Sequence, residues 1–258
     1  MITVAQSGNT NNGYTGDVII NVSAGVAPAG VSSLVVVAID VLPDANGVLP
    51  TVTAPPPTTG HPEWNLITSD SVGSSNPTMV QYLYWHMIGS AENVPPNFAF
   101  TLTGAVAPAG CGSAGTPGCF PATAVGINYN GTCTEEMPSP CPTNSGSPIV
   151  SPFTSGIQGA NNSVVAGATI DVPANAFALA AFGTNDLEFF FGQSGRPISG
   201  AVFPETLQFE NSNAGTNPGL AFYDQAEIDG GVVGPFAATL PNFNIGDNIA
   251  EVIGIISR

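Results

Sequence analysis

Short segments that alternate polar and apolar side chains, or that run through β-branched and aromatic residues, recur along the chain and end at Gly, Pro or Asn. This pattern is typical of β-strands, and no stretch of useful length has an amphipathic helical period. Many short strands at regular spacing indicate a sandwich or a barrel. We therefore expect an all-β, two-sheet, jelly-roll-like sandwich. The predicted strands are Asp17–Val22, Ser33–Val41, Trp64–Ser69, Met79–Ile88, Phe98–Thr103, Ala124–Tyr129, Ala168–Val172, Phe177–Gly183, Thr206–Glu210, Leu220–Glu227, Phe236–Thr239 and Asn248–Ile256.

The charge of the chain excludes two classes of partner. Its 258 residues include 18 Asp plus Glu and two Lys plus Arg, which gives a formal net charge of -16. Nucleic-acid affinity depends on Lys and Arg that neutralise phosphates, so nucleic acid is excluded as a partner. Anionic membrane surfaces are excluded for the same reason. Membrane insertion is not expected either, because the longest apolar runs, Leu34–Ile39 and Phe177–Phe182, are too short to span a bilayer.

The chain divides into two halves whose segments follow the same order. A Pro-Glu pair precedes a strand in each half, at Pro62 and at Pro204, and a Phe-Ala segment ending in Thr-Leu follows later in each. This order indicates an internal duplication in which two strand sets pack face to face, because neither half can cover its own apolar face. The predicted domains are an N-terminal arm (1–16) and a β-sandwich domain (17–258). The sandwich contains half-repeats at about 17–130 and 163–258, with insertion loops at 104–123 and 131–159.

Several of these segments together resemble a loosely defined group of bacteriophage and bacterial surface β-sandwich proteins, of the tail-associated or virion decoration type. Members have a strand that ends in a proline-bounded turn, a Trp-x-Leu strand, an aromatic strand and a later Val-Pro strand. The resemblance implies a structural, non-catalytic role and transfers no functional residues. The segments that carry it are Ser33–Ile39, Pro62–Ile67, Met79–Met87, Phe98–Thr103, Ala124–Asn130, Ala168–Pro173 and Phe177–Phe182.

Four cysteines fall in the two predicted insertions, and their spacing favours disulfides over a metal site. Cys111 and Cys119 form one pair and Cys133 and Cys141 another, each with seven intervening residues and without the C-x-x-C spacing of zinc sites. Pairing within each of these two is the simplest of three connectivities. The first residues, Met1–Gly8, do not have the pattern of a signal peptide. Disulfides in such a chain are compatible with a protein that is assembled in a cell and oxidised after release, as virion proteins are.

The sequence offers little that predicts catalysis. His86 lies on a predicted strand, on the same face as Tyr82 and Tyr84, and we interpret it as a packing or surface histidine, because a general base needs a partner within hydrogen-bond reach. His61 lies among Pro and Gly. No Gly-x-Ser-x-Gly elbow opens a helix, and we predict that the protein is not an enzyme and needs no cofactor.

Calcium is the ligand that the sequence favours most, although only weakly. Asp44 and Asn46 begin an oxygen-rich turn, and Asp40 and Asp70, or the stretch 224–229, could add carboxylates. The same Asp-x-Asn-Gly sequence is also an ordinary hairpin turn that needs no metal, and this is the interpretation that we favour.

Together these features predict a virion structural protein at the virion surface: a capsid decoration, spike or tail-associated protein. It would act by self-association or by docking on other virion proteins, through apolar surface and strand pairing. The alternatives are an extracellular adhesin or carbohydrate-binding module, in which exposed aromatic rings such as Trp64 or Tyr14 would stack on host-surface glycans, and a subunit of an extracellular filament.

Overall fold

The computed structural model contains only β-strands as regular elements among the residues that it describes. The all-β prediction is therefore confirmed, and each of the predicted strands overlaps a strand of the structure. The described residues are 3–4, 9–12, 18–23, 33–44, 46–57, 63–73, 77–88, 97–104, 122–130, 149–162, 164–166, 169–174, 176–185, 206–211, 219–227, 229–234, 237–239 and 246–256.

The strands are numbered in chain order. The first half of the chain contributes β1 (Thr3–Val4), β2 (Asn9–Asn12), β3 (Val18–Ser23), β4 (Ser33–Val41), β5 (Thr51–Thr53), β6 (Asn65–Val72), β7 (Met79–Ile88), β8 (Asn97–Thr103) and β9 (Ala122–Asn130). The second half contributes β10 (Ile149–Asn162), β11 (Val164–Ala166), β12 (Ile170–Val172), β13 (Ala176–Thr184), β14 (Thr206–Asn211), β15 (Gly219–Glu227), β16 (Gly231–Val233), β17 (Ala237–Thr239) and β18 (Gly246–Ile256).

Each half contains one five-stranded sheet. Sheet I, in the first half, has the order β1-β9-β4-β7-β6, and sheet II, in the second half, has the order β10-β18-β13-β15-β14. The first half also forms a four-stranded sheet III, in the order β2-β3-β8-β5. The second half instead forms two separate two-stranded sheets, β11-β17 and β12-β16. All pairings are antiparallel.

Sheets I and II pack face to face, and we call the layer between them the seam. Alternate residues of β4, β7 and β9 meet alternate residues of β13, β15 and β18 in one apolar cluster, because successive side chains of a strand point to opposite faces. The buried members of this cluster are Leu34, Val36, Ala38, Leu83, Val125, Ile127, Tyr129, Ile149, Leu179, Ala181, Leu220, Phe222, Ile253 and Ile255.

Both sheets of the seam are also covered on their outer faces. The other residues of β4, such as Val35 and Val37, pack against Phe98 and Phe100 of sheet III. On the far side, Phe182 and neighbouring residues of sheet II pack against the β12-β16 pair. All nine positions of β4 are therefore buried. This explains its nearly unbroken apolar sequence, since a strand that is covered on both faces has no solvent side on which to place polar residues.

The arrangement differs from the two-sheet prediction, because the described strands form five sheets. Parts of the predicted arm and insertions are also strands. In the arm, β1 pairs with β9 and β2 pairs with β3. The first predicted insertion, 104–123, overlaps β9, which begins at Ala122. The second, 131–159, overlaps β10, which begins at Ile149 and pairs with β18. The four cysteines lie outside the described residues.

Candidate functional site: a carboxyl cluster in the seam

A row of polar side chains crosses sheet I at one end of the seam. Asp40 of β4 is the ladder partner of Thr123 on β9 and of Gln81 on β7, and Gln81 is in turn the partner of Asp70 on β6. Asp40, Gln81 and Thr123 are fully buried, and Asp70 is half-buried. Because Asp40 is two residues beyond Ala38 on the same strand, it points into the seam with the apolar residues of that face.

Sheet II approaches this row with a glycine and a carboxyl group. A Cβ atom at Gly183 of β13 would overlap Asp40 Oδ2 and would lie 2.7 Å from Gln81 Nε2. The missing side chain of Gly183 therefore provides the space that the Asp40 carboxyl occupies. Glu251 of β18 is fully buried on the same inward face as Ile253.

The hydrogen bonds in the cluster leave three of its carboxyl oxygens without a donor. Gln81 Nε2 donates to Asp40 Oδ1 at 2.9 Å. Within the described part of the chain, Asp40 Oδ2 and both carboxyl oxygens of Glu251 accept no bond from an N–H or hydroxyl group. The carboxyl group of Asp70 lies close enough to Glu251 to raise its pKa by hydrogen bonding and by charge. Two carboxylates cannot donate to each other, so one of this pair carries the proton.

Burial and like charge identify Glu251 as the protonated partner. Burial raises the pKa of Glu251 to about 9, and the hydrogen bond with Asp70 and the negative charges of Asp70 and Asp40 act in the same direction. Burial also raises the pKa of Asp40 well above its ordinary value, and the bond from Gln81 lowers it only in part. At neutral pH Glu251 therefore holds a proton that an exposed carboxyl group would have lost.

Two further polar contacts join the halves across the seam. The hydroxyl group of Tyr129 on β9 donates to Asp224 Oδ2 on β15 at 3.1 Å. Burial, followed by the charge of Asp224 and this bond, raises the pKa of Tyr129 well above its ordinary value. Near the carboxyl cluster, Thr78 donates through its hydroxyl group to Asp247 Oδ2. The seam is thus apolar in its centre and is joined by acidic side chains towards its ends.

The turn that contains the calcium candidates is held by its own hydrogen bonds. Asp44 Oδ1 accepts the backbone N–H groups of Asn46 and Val48 at 2.8 and 2.7 Å. The bond from Val48 is the main cause that lowers the pKa of Asp44. Gly47 completes the turn with a φ of 80 degrees, a conformation that glycine adopts without strain. These contacts are those of an Asx-type turn.

The structure brings some of the other calcium candidates together and separates the rest. Asp40 and Asp70 lie in one cluster through Gln81, whereas Asp224 bonds to Tyr129. No group of three or more His, Cys, Asp or Glu side chains within the described residues is arranged to hold a metal ion. Sequence analysis missed Glu251 and Gln81. The signal for Glu251 was an acidic residue at an inward-facing position within the apolar run 249–256 of β18.

The aromatic residues around His86 form packing contacts. The ring of Trp64 stacks on His86 at a centroid distance of 4.9 Å and contacts Phe98 and Phe100 edge-on at 4.9 and 5.0 Å. His86 is fully buried among these rings, which favours packing over exposure in its interpretation as a packing or surface histidine. The expectation that Trp64 is an exposed platform for sugar rings is wrong, because this ring is half-buried among three others. Tyr14 and His61 lie outside the described residues.

Comparisons with protein-family models, with curated proteins and with solved structures give no match for this chain. The described residues contain no helix long and apolar enough to cross a membrane.

Proposed function

We propose that the protein is a non-enzymatic structural protein of a virion, built from two jelly-roll-like halves that arose by duplication. It acts at the virion surface by self-association or by docking on other virion proteins. The observation that carries this proposal is the strand order, which is the same in both five-stranded sheets.

The pairing of the first half supports the jelly-roll assignment. Its long-range pairs are nested: β1 pairs with β9, β3 with β8, and β4 with β7. Successive pairs alternate between sheet I and sheet III. In the second half the nested pairs are β10-β18, β11-β17, β12-β16 and β13-β15. Viral capsid domains and lectin domains are among the proteins that use jelly rolls.

The ladder registers support the duplication. In sheet I the register between β6 and β7 shifts between Leu66 and Thr68, and in sheet II the register between β14 and β15 shifts between Leu207 and Phe209. If β7 is aligned with β15 so that the two register shifts coincide, Gln81 takes the position of Leu220. The ladder partners of these two residues, Asp40 on β4 and Gly183 on β13, are then equivalent positions in the two halves.

The superposition also gives the relation between the halves. Asp40 and Gly183 are equivalent positions, and they face each other across the seam. Contact between equivalent positions is what packing about a two-fold axis produces, as in an isologous dimer. The seam therefore resembles a dimer interface within one chain, and this is the arrangement expected when two fused copies of a self-pairing unit diverge.

The composition supports a role in assembly rather than in catalysis. With two Lys plus Arg against 18 acids, the chain cannot form many ion pairs between subunits. Contacts between copies must then rely on apolar surface and on backbone pairing at sheet edges. The edge strand β6 carries the exposed Leu66 beside its backbone groups, which suits such a contact.

The cysteine-bearing segments fit this role if they are oxidised. We propose that all four cysteines are oxidised, in the simplest connectivity as Cys111 with Cys119 and Cys133 with Cys141, which would restrict the conformations of the segments that they close. Mass spectrometry of the non-reduced, alkylated protein should show no labelled thiols. Four labelled thiols would contradict the pairing.

A lectin-type adhesin or carbohydrate-binding module is the second candidate, because jelly rolls also occur in lectin domains. A filament subunit remains a third. Saturable binding of the isolated monomer on a glycan array would favour the lectin. Linear polymers in electron micrographs would favour the filament.

Sedimentation and electron microscopy test the main proposal. The purified protein, or the native source, should give closed particles or regular oligomers, and raising the salt concentration should leave them intact. Salt screens charge, so contacts without ion pairs do not depend on low salt, and repulsion between acidic subunits decreases. A protein that stays monomeric at all concentrations, or an assembly that dissociates in salt, would contradict the proposal.

A further inference from the structure

The carboxyl cluster of the seam consists of groups from both halves. Asp40 and Asp70 belong to sheet I and Glu251 to sheet II. The ladder partners of Glu251 are Ser155 on β10 and Ala181 on β13, which carry no charge. Among the described residues, the charged groups that act on Glu251 are therefore acids of the opposite sheet, Asp70 and Asp40.

No basic side chain of the described residues compensates this charge. The chain has no lysine, and Arg196 and Arg258 lie outside the described residues. His86 occupies the other face of sheet I, where it packs against Trp64 and Phe98. Gln81 donates a single bond to the cluster, to Asp40. Among the described residues, protons are thus what offsets the charge of the cluster when the two sheets pack tightly.

We propose that the seam is a proton-operated switch: the proton held by Glu251, beside the buried Asp40, keeps sheets I and II in contact, and its release loosens the two halves from each other. The switch is a property of the fold and does not depend on the virion role.

The direction of the effect follows from the raised pKa values of both groups. The folded protein holds protons that the unfolded chain releases near the ordinary carboxyl values. The stability is therefore fully present in acid, falls as the pH rises, and stops falling above the folded value of about 9 for Glu251. For each proton involved, the equilibrium constant for unfolding rises about tenfold per pH unit within this window.

Two other groups with a shifted pKa, Asp44 and Tyr129, titrate outside the pH range in which Glu251 affects stability. The pKa of Asp44 is lowered, so its contribution is lost only as the pH falls below its ordinary value. The pKa of Tyr129 is raised, so its hydroxyl group ionises only in stronger alkali than an ordinary tyrosine. Measurements from about pH 5.5 to about pH 8.5 therefore avoid these two groups, and comparison with a variant of Glu251 separates the carboxyl cluster from any other group that titrates in this range.

The test compares unfolding of the full chain and of Glu251→Gln across this range. Glutamine has nearly the shape of a protonated glutamate but cannot lose a proton. The wild type should become less stable towards pH 8.5, with faster hydrogen exchange in β6 and β18. The pH dependence of the variant should be smaller by about one proton. The ratio of its folding equilibrium constant to that of the wild type should therefore grow by roughly a hundredfold or more between pH 5.5 and pH 8.5.

The matched control is Asp171→Asn, which removes one negative charge from an exposed position of β12 and should keep the wild-type slope. An unchanged slope in Glu251→Gln, or the same reduction in both variants, would overturn the proposal. If Glu251→Gln fails to fold, infrared spectroscopy of the wild type gives an independent answer. A protonated carboxyl band at neutral pH is expected, and its absence would overturn the proposal as well.

Discussion

At the scale of single residues, one glycine determines whether the two sheets of the seam can meet. Gly183 has the Asp40 carboxyl and the Gln81 amide where its own side chain would stand. The atoms that crowd it are held between two sheets, so they cannot move aside freely. Such close packing makes even one added carbon costly.

Gly183→Ala should therefore destabilise the protein by about 1 to 3 kcal/mol, the usual cost of overpacking a core. The effect should shrink when Asp40→Ala is introduced in the same chain, because the carboxyl group that the new methyl group meets is gone. Denaturant titration of both single variants and of the double variant gives the coupling energy. Purely additive effects would show that the two positions do not contact each other.

The residues of the cluster were only partly accessible from the sequence. Asp40 and Asp70 stood out as acids that follow or end apolar strands, and sequence analysis grouped them as calcium candidates. Glu251 could not be assigned to them, because it lies some 180 residues later and only the packing of β18 on β6 brings it to Asp70. A pattern of period two gives the face of a residue but not the sheet that covers that face.

At the scale of elements, the long strands were predictable and the short or interrupted ones were not. β4 and β7 begin and end where the sequence pattern predicts. β5, β11 and β16 have three residues each, which is too short for a period to be recognised. β10 contains Pro152, and most of this strand lies in the predicted insertion 131–159. Its register shifts between Val150 and Thr154, which accommodates the proline in an edge strand.

The N-terminal strands lie at sheet edges, and this position predicts the effect of removing them. β1 covers one edge of sheet I, and β2 covers one edge of sheet III. The described members of the apolar cluster between these sheets come from other strands, beginning with Ile20 of β3. Deletion of 1–13 should therefore leave cooperative unfolding intact while uncovering backbone groups of β9 and β3. We expect the truncated protein to assemble less well in analytical ultracentrifugation, and unchanged assembly would contradict this role of the arm.

At the scale of the whole molecule, the seam makes each half depend on the other. The residues that sheet I presents to the seam are fully buried and apolar in its centre, from Leu34 to Tyr129. A first half expressed alone would expose this face to water, which folded monomers rarely do with a large apolar patch. It must therefore collapse, aggregate or find a partner, and the equivalence of the two halves makes a second copy the obvious candidate.

The two halves carry different residues at equivalent positions of the seam, and this difference argues against pairing of two first halves. If two first halves packed as the natural halves do, Asp40 of one copy would face Asp40 of the other, because Asp40 and Gly183 are equivalent positions. Two buried carboxyl groups would then occupy the space that one occupies opposite glycine. Burying a second acid without a basic partner adds a desolvation cost of several kcal/mol to this overlap.

The fragment 1–130 should consequently be poorly folded alone, and co-expression with 131–258 should restore a soluble complex. The same fragment with Asp40→Gly should form a homodimer more readily, because glycine then faces glycine across the two-fold axis.

Asp171→Asn in the fragment 131–258 is the control that should leave complementation unchanged. Sedimentation equilibrium and circular dichroism on each fragment distinguish these states. A monomeric, cooperatively unfolding 1–130 would show that the halves are independent, and failure of Asp40→Gly to promote dimers would argue against a two-fold origin of the seam.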